Sequence, residues 1–123
     1  VLETPGRNIL KDIGLVIESF LKDTQVHSNL KTLWCEIDLD KCEFPLLLRN
    51  FIDGDRVVIN GKEKKLKTTF QLQGIPENWR KRVPILCDQK KILWVPGVLL
   101  DERAQVQENS RSILIVTMRA YKR

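Results

Sequence analysis

The stretch around which we expect the chain to fold is FIDGDRVVINGKEKKLKTTFQLQGIPENWRKRV, residues 51–83. Its first half holds two turn sequences, Asp53-Gly54-Asp55 and Asn60-Gly61, on either side of the β-branched segment 56–59. An Asn-Gly pair favours a tight hairpin turn because both residues tolerate positive φ. The pattern therefore predicts a short strand followed by a tight turn.

The second half of this stretch changes to a helical period at Lys64. Leu66 and Phe70 are four residues apart and can share the buried face of a helix, while Lys64 and Lys67 fall on another face. Gly74 suits the C-terminal cap of this helix because glycine adopts the left-handed conformation without strain. A first short helix is therefore predicted between Lys64 and Gly74.

A second short helix is predicted from Pro76 to Val83. Proline is favoured in the first turn of a helix, and the residue before Pro84 is disfavoured in helical conformation. Trp79 could stack on a nucleobase, but platforms for single-stranded RNA usually offer several exposed aromatic side chains. We therefore predict that Trp79, like Trp94, packs in the core.

Strand-like segments flank the central stretch on both sides. Residues 14–23 could lie on a helix, but their β-branched side chains and Gly14 favour a strand. Residues 1–13 are expected to form an edge segment or lead-in, and 23–31 and 101–110 are expected to be loops. The other predicted strands are 32–37, 45–51, 84–87, 91–95 and 111–118. Many short strands with two central helices predict an antiparallel β or α+β domain.

Composition indicates one ordinary folded domain. Of the 123 residues, 42% are hydrophobic and 30% are charged, which is enough apolar material for one modest core. No apolar run approaches the roughly 20 residues that a membrane span needs, so we expect no membrane partner. The chain does not begin with methionine, and we expect it to be part of a longer protein.

Positive charge is concentrated in the middle of the chain. Residues 41–91 carry 12 basic and 6 acidic side chains, whereas residues 1–40 carry 4 basic and 7 acidic ones. Such a distribution is typical of a surface that faces a polyanion, although a solvated lysine face gives the same pattern. Seven basic residues are close in sequence here and suit phosphate contact: Arg49, Lys64, Lys65, Lys67, Arg80, Lys81 and Arg82.

The sequence offers little from which a catalytic or metal site could be built. Cys35, Cys42 and Cys87 match no zinc-ligand spacing, so we expect free thiols and no metal. The single histidine, His27, has no evident nucleophile or carboxylate partner. None of the glycines lies in a phosphate-binding frame. The chain by itself is therefore not expected to be catalytic.

The acidic pairs are interpreted as structural or solvated groups. Asp53 and Asp55 lie in a turn, where a carboxylate usually caps backbone amides. Asp101 and Glu102 lie in a polar segment and are expected to be exposed to solvent. Neither pair is expected to perform acid–base chemistry.

Ordered motifs between residues 45 and 103 resemble the C-terminal domain of bacterial tRNA(Ile)-lysidine synthetase. Their order and spacing extend over about half of the chain, and the first 40 residues match more loosely. The motifs are FPLLLR (44–49), GDR (54–56), KKLK (64–67) with Phe70, IP (75–76) with Arg80 and Arg82, VPI (83–85), ILWVPG (92–97) and DER (101–103). On this resemblance Arg56 and Arg103 join the seven basic residues as predicted tRNA contacts.

The resemblance implies an α+β fold, mainly antiparallel β and sandwich-like, similar to a module of the phenylalanyl-tRNA synthetase β chain. It implies that residues 1–123 are a single C-terminal tRNA-binding domain, with 1–40 as lead-in and 41–123 as the main module. The family enzyme ligates lysine to the wobble cytidine of an isoleucine tRNA. It uses ATP with Mg²⁺ in an N-terminal domain whose SGGxDS loop is absent here, so no cofactor is expected in this chain.

The implied partners are tRNA(Ile), held toward its acceptor stem, and the enzyme's own catalytic domain. The implied compartment is the bacterial cytoplasm. An alternative is a structural or dimerisation module without RNA contact, because the strand-rich ends could leave sheet edges that pair with another chain.

Overall fold

Ten strands and two short helices organise the part of the chain that the computed structural model describes, namely residues 1–10, 12, 14–21 and 33–120. The predicted loop 23–31 and His27 lie outside these residues. The strands are β1 (Gly6–Leu10), β2 (Leu15–Leu21), β3 (Leu33–Asp38), β4 (Leu47–Asn50), β5 (Arg56–Ile59), β6 (Lys62–Lys65), β7 (Pro84–Cys87), β8 (Ile92–Val95), β9 (Leu99–Leu100) and β10 (Ile113–Ala120). The helices are α1 (Leu66–Leu72) and α2 (Glu77–Arg80).

The first sheet joins the two ends of the described chain. Its order is β1-β2-β10-β3, and every neighbouring pair is antiparallel. Alternate residues of β10, including Leu114 and Val116, point to the core together with Ile17, Cys35 and Ile37. This alternation is what an antiparallel sheet with one buried face requires. β1 lies at the sheet edge, in agreement with the expected edge segment.

The second sheet, of order β4-β7-β8-β9, is covered on both faces. Leu86 and Leu93 pack toward the first sheet, whereas Ile85, Ile92 and Val95 pack toward the opposite side. All four residues of β8 are buried, because a strand that is covered on both faces needs apolar side chains in both directions.

A third layer, formed by the β5–β6 hairpin and α1, covers the outer face of the second sheet. Val57, Leu66 and Phe70 are fully buried there, and the ring of Phe51 meets that of Phe70 edge-on with 5.3 Å between centroids. The expectation of one core is therefore corrected to two clusters, since the second sheet separates the apolar side chains of the flanking layers.

Residues 60 and 61 form the predicted tight turn between β5 and β6. Asn60 has φ 52° and Gly61 has φ 75°, so both occupy the left-handed region that this turn requires. Gly74 likewise follows α1 with φ 71°. Both predictions are confirmed.

The predicted start of the first helix is wrong by two residues. Lys64 and Lys65 belong to β6, where they pair with Val57 and Arg56, and α1 begins at Leu66. The helical spacing of Lys64 was misleading because the hairpin supplies its backbone with cross-strand hydrogen bonds. Strand pairing of this kind depends on the partner segment and overrides a local helical pattern.

The second helix is shorter than predicted, and Trp79 is not in the core. α2 ends at Arg80, and residues 81–83 form a turn. Trp79 is 54% exposed, because one helical turn with no buried residue leaves its side chain on the surface. Trp94, by contrast, is buried as predicted.

The observed class is α+β, mainly antiparallel β, as predicted. β9 and the short 3-10 turn at Glu102–Ala104 were not anticipated, since both are too short to carry a period. Among the described residues, no helix has the length and apolar character needed to cross a bilayer.

Candidate nucleic-acid interface

Two concave surfaces collect five of the nine predicted tRNA-contact residues. The first, here called the arginine cleft, has a volume of about 500 Å³ and contains Arg49, Arg56 and Arg103. The second, here called the Arg82 groove, has a volume of about 470 Å³ and contains Lys81 and Arg82, with Arg49 shared between both. The remaining four predicted residues line neither surface: Lys64, Lys65, Lys67 and Arg80.

Arg49 is fixed by a bidentate ion pair. Its Nη1 and Nη2 atoms each lie 2.9 Å from a carboxylate oxygen of Asp55, and the same carboxylate accepts the backbone N–H of Ile52. The hydrogen bonds that Arg49 donates to the Asp55 carboxylate raise the pKa of Arg49 above its ordinary value. Asp55 therefore caps its turn as predicted and also orients the arginine.

Arg56 is placed on the hairpin, directly opposite Lys65. Two like charges in directly opposed positions repel each other. Glu63 offsets this repulsion, because its carboxylate lies 2.7 Å from Nε of Arg56. Both side chains of this pair are about half exposed, so the ion pair is open to competition from solvent and from phosphate.

Asp101 is fully buried, which corrects the expectation of a solvated carboxylate. It accepts two hydrogen bonds from the guanidinium of Arg103, both 2.9 Å, a third from the backbone N–H of Val58 at 2.8 Å and a fourth from the backbone N–H of Arg103 at 2.9 Å. Glu102 accepts the N–H of Gly61 at 2.6 Å. The DER segment thus attaches the β5–β6 hairpin to the second sheet. The contacting residues are more than 40 positions apart in the sequence, so no local pattern predicted these hydrogen bonds.

Two lysines in the arginine cleft were not predicted as contacts. Lys90 is exposed, whereas Lys91 lies 2.7 Å from the buried carboxylate of Asp88. Burial raises the pKa of Asp88, but hydrogen bonds from Lys91 and from three backbone amides outweigh it and hold the pKa below its ordinary value. The sequence shows both lysines as charges, but only the β7–β8 turn brings them to this cleft.

Four predicted lysines are exposed and unpaired within the described part of the chain. Their ammonium groups make no ion pair or hydrogen bond with any described residue, in contrast to the three arginines of the cleft. A free ammonium group keeps its full charge available to an anionic ligand. The four are Lys64, Lys65, Lys67 and Lys81.

Arg80 and Arg82 are held by α2 in different ways. Nε of Arg80 donates to the carbonyl of Ile75 at 3.0 Å, so this side chain stabilises the turn between the helices. The guanidinium of Arg82 packs over the indole of Trp79, with Cζ 5.3 Å from the ring centroid. Arg82 is therefore the exposed cation of the pair and Arg80 the structural one.

The cysteines are unsuited to chemistry at neutral pH. All three are free thiols. Burial raises the pKa of Cys42 to about 11 and also raises the pKa values of Cys35 and Cys87. Within the described residues, no group of three or more His, Cys, Asp or Glu side chains is arranged to hold a metal ion.

Relatives of known name match most of the chain. It is similar to the tRNA(Ile)-lysidine synthase of Dehalococcoides mccartyi (strain CBDB1), with 41% identity over 110 residues that cover 86% of this chain and 23% of that protein. It is similar to the tRNA(Ile)-lysidine synthase of Geobacter sulfurreducens, with 35% identity over 120 residues that cover 96% of this chain and 26% of that protein. The chain thus spans about a quarter of the length of these relatives.

Structure and family comparisons agree with these relatives. The crystal structure of a TILS C-terminal domain matches with a TM-score of 0.74 and 29% identity, covering 97% of this chain and 93% of that one. The family model described as the TilS substrate C-terminal domain matches residues 46–116, which is more than half of the chain. The chain therefore belongs to the TilS substrate C-terminal domain family.

Proposed function

We propose that this chain is the tRNA-binding C-terminal domain of a tRNA(Ile)-lysidine synthase, acting in the bacterial cytoplasm. Its role is to hold tRNA(Ile), on the acceptor-stem side, while the rest of the parent enzyme ligates lysine to the wobble cytidine. ATP and Mg²⁺ are assigned to that other part, since these 123 residues contain no glycine-rich phosphate loop. The names of the relatives support the substrate.

The observation that carries the proposal is the set of free lysines at the junction of β6 and α1. Lys64, Lys65 and Lys67 are exposed and unpaired among the described residues. Each can approach a phosphate without first breaking an ion pair. Phosphate contacts of this kind supply a large share of nucleic-acid affinity and position the ligand without reading its bases.

The cleft arginines contribute differently. Arg49 and Arg103 are each held by a buried or nearly buried aspartate, so their guanidinium groups have fixed directions and little net charge to offer. Fixed donors suit recognition of backbone shape, as expected for a duplex stem. The lysines then provide most of the salt-dependent affinity. The arginines orient the bound RNA through hydrogen bonds of fixed direction.

Titration with tRNA(Ile) at several salt concentrations tests the lysine contribution. In the triple variant Lys64→Ala, Lys65→Ala, Lys67→Ala we expect weaker binding and a slope of log affinity against log salt that is shallower by roughly 2 units, at about 0.7–0.9 per lost phosphate contact. The triple Lys→Arg variant keeps the charge and should retain most of the affinity.

A second control removes charge elsewhere. The variant Arg7→Ala, Arg111→Ala changes two exposed arginines outside residues 51–83 and should alter the slope far less. If the lysine triple variant binds with wild-type affinity and slope, the lysine contact is wrong. If the wild-type chain itself shows no salt-dependent tRNA binding, the proposed function fails.

A second candidate is a docking or dimerisation module, favoured by apolar side chains on a sheet edge. Leu33 and Trp34 are 44% and 54% exposed on β3, which is an edge strand of the first sheet. Exposed edges with apolar side chains can pair with another chain. Sedimentation of the chain over a wide concentration range tests this candidate, and a monomer throughout would exclude the homodimer.

A further inference from the structure

Trp79 and Arg82 form an exposed aromatic–cation pair at the end of α2. The indole is 54% exposed, and the Arg82 guanidinium lies 5.3 Å from its ring centroid. Large aromatic side chains on a protein surface cost hydrophobic stabilisation, and patches of them often mark binding sites. The exposed indole, with a guanidinium against its ring, is therefore a candidate binding surface.

The backbone holds this pair in a fixed orientation. The N–H of Trp79 donates to the carbonyl of Pro76 at 2.9 Å, and the N–H of Arg82 donates to the carbonyl of Trp79 at 2.9 Å. Arg80 closes the turn by its bond to Ile75. The indole is thus presented by a closed turn with φ −62° at Pro76, rather than by an unbonded loop.

Charge distinguishes the surface beside Trp79 from the arginine cleft. The Arg82 groove contains Lys81 and Arg82, together with Arg49, whose charge is paired with Asp55. No carboxylate occurs among the described residues that line it. The arginine cleft, in contrast, contains Asp55, Glu63 and Asp88. The groove is therefore the more favourable of the two for a phosphate, and its volume is in the range of small-ligand sites.

We propose that Trp79 stacks on an unpaired base of the bound RNA, while Lys81 and Arg82 hold the adjacent phosphates in the Arg82 groove. An unpaired base is required because a paired base within a duplex has no free face for an indole. Arg82 covers part of the ring, so the base, the indole and the guanidinium stack in series. This inference rests on the proposed function and adds which RNA feature is bound.

Two RNA probes separate stacking from general phosphate binding. One is a stem hairpin with unpaired 3′ nucleotides, and the other is the same hairpin with a blunt end. The wild-type chain should bind the first hairpin more tightly by roughly tenfold, which is the effect expected from stacking one base on an aromatic side chain. Equal affinity of the wild-type chain for both probes would by itself overturn the proposed stacking site.

Variants then assign the preference to one side chain. Trp79→Ala should abolish the preference for the unpaired end, whereas Trp79→Phe should keep most of this preference. Trp34→Ala, at the other described exposed tryptophan, is the matched control and should keep it all. The inference would be overturned if the Trp79→Ala variant kept the preference, or if its affinity for both probes fell by the same factor. Loss of all salt-dependent binding in the wild type would instead overturn the proposed function.

Discussion

Arg49 and Asp55 are joined by two hydrogen bonds of 2.9 Å each, in a fork-to-fork arrangement. This contact connects β4 to the turn before β5, and so connects the second sheet to the hairpin that carries the lysines. It also places Arg49 on both concave surfaces. The pair is consequently expected to contribute to stability and, on the proposed function, to RNA binding.

Arg49→Ala should lower the free energy of unfolding by about 1–3 kcal/mol, because it leaves the mostly buried Asp55 carboxylate without its main partner. Urea denaturation measures the change. Arg49→Lys keeps the charge but cannot form both hydrogen bonds, so its loss should be intermediate. A change below about 0.5 kcal/mol for Arg49→Ala would contradict this role.

Asp101→Asn should be more destabilising, by about 2–4 kcal/mol, because the amide NH2 group replaces one acceptor oxygen and then faces N–H donors, and the negative charge that pairs with Arg103 is lost. Asp53→Asn is the matched control, since Asp53 is exposed, and should change stability by less than about 0.5 kcal/mol. Denaturant midpoints decide the comparison. Equal effects of the two substitutions would refute the structural role of Asp101.

Asp88 should make stability depend on pH in the acidic range. Its pKa is lower in the folded chain than the ordinary value of about 3.9, so folding favours the ionised form. The resulting stabilisation is fully present above about pH 5 and is lost as the pH falls through 4 toward the folded pKa.

Unfolding free energies measured from pH 6 to pH 3 test this linkage. Asp88→Asn should be less stable than wild type at pH 6, and its stability should fall less steeply as the pH is lowered. Lys91→Met removes the principal partner of Asp88 and should flatten the same slope in part. A slope identical to wild type in both variants would show that Asp88 is not the group responsible.

The folded chain should react slowly with thiol reagents at neutral pH. Burial raises the pKa of Cys42 to about 11, so only a small fraction of its thiol is ionised at pH 7.5, and the thiolate is the nucleophile. The reaction rate of the folded chain should increase about tenfold per pH unit between pH 7.5 and 9.5. The same reagent in concentrated urea is the control, where all three thiols should react quickly. Fast stoichiometric labelling of the folded chain at pH 7.5 would contradict this.

Local chemistry made part of this structure predictable. The Asn60-Gly61 turn follows from the ability of those residues to adopt positive φ, and the buried face of α1 follows from the spacing of Leu66 and Phe70. Trp94 was assigned correctly to the core. The concentration of basic residues in the middle of the chain was also evident.

Strand pairing, element length and one long-range contact explain what could not be predicted. The spacing of Lys64 predicts a helix, but its pairing with Val57 places it on a strand. Asp101 reads as solvated until Val58 and Arg103 surround it. Trp79 was predicted to lie in the core, but α2 buries none of its residues. For Asp101 the deciding partner, Val58, is 43 residues away in sequence. Lys64 is decided by the opposite strand of its own hairpin, and Trp79 by the shortness of α2.

The sequence by itself determined the α+β class, the family resemblance and the basic character of residues 51–83, because these depend on residue type and local spacing. Only the tertiary structure decided which cations are free. Ion pairing converts Arg49 and Arg103 into fixed structural donors and leaves Lys64, Lys65 and Lys67 unpaired within the described chain. The physical reason is that the charge offered by a side chain depends on what folding places beside it, and sequence spacing does not contain that information.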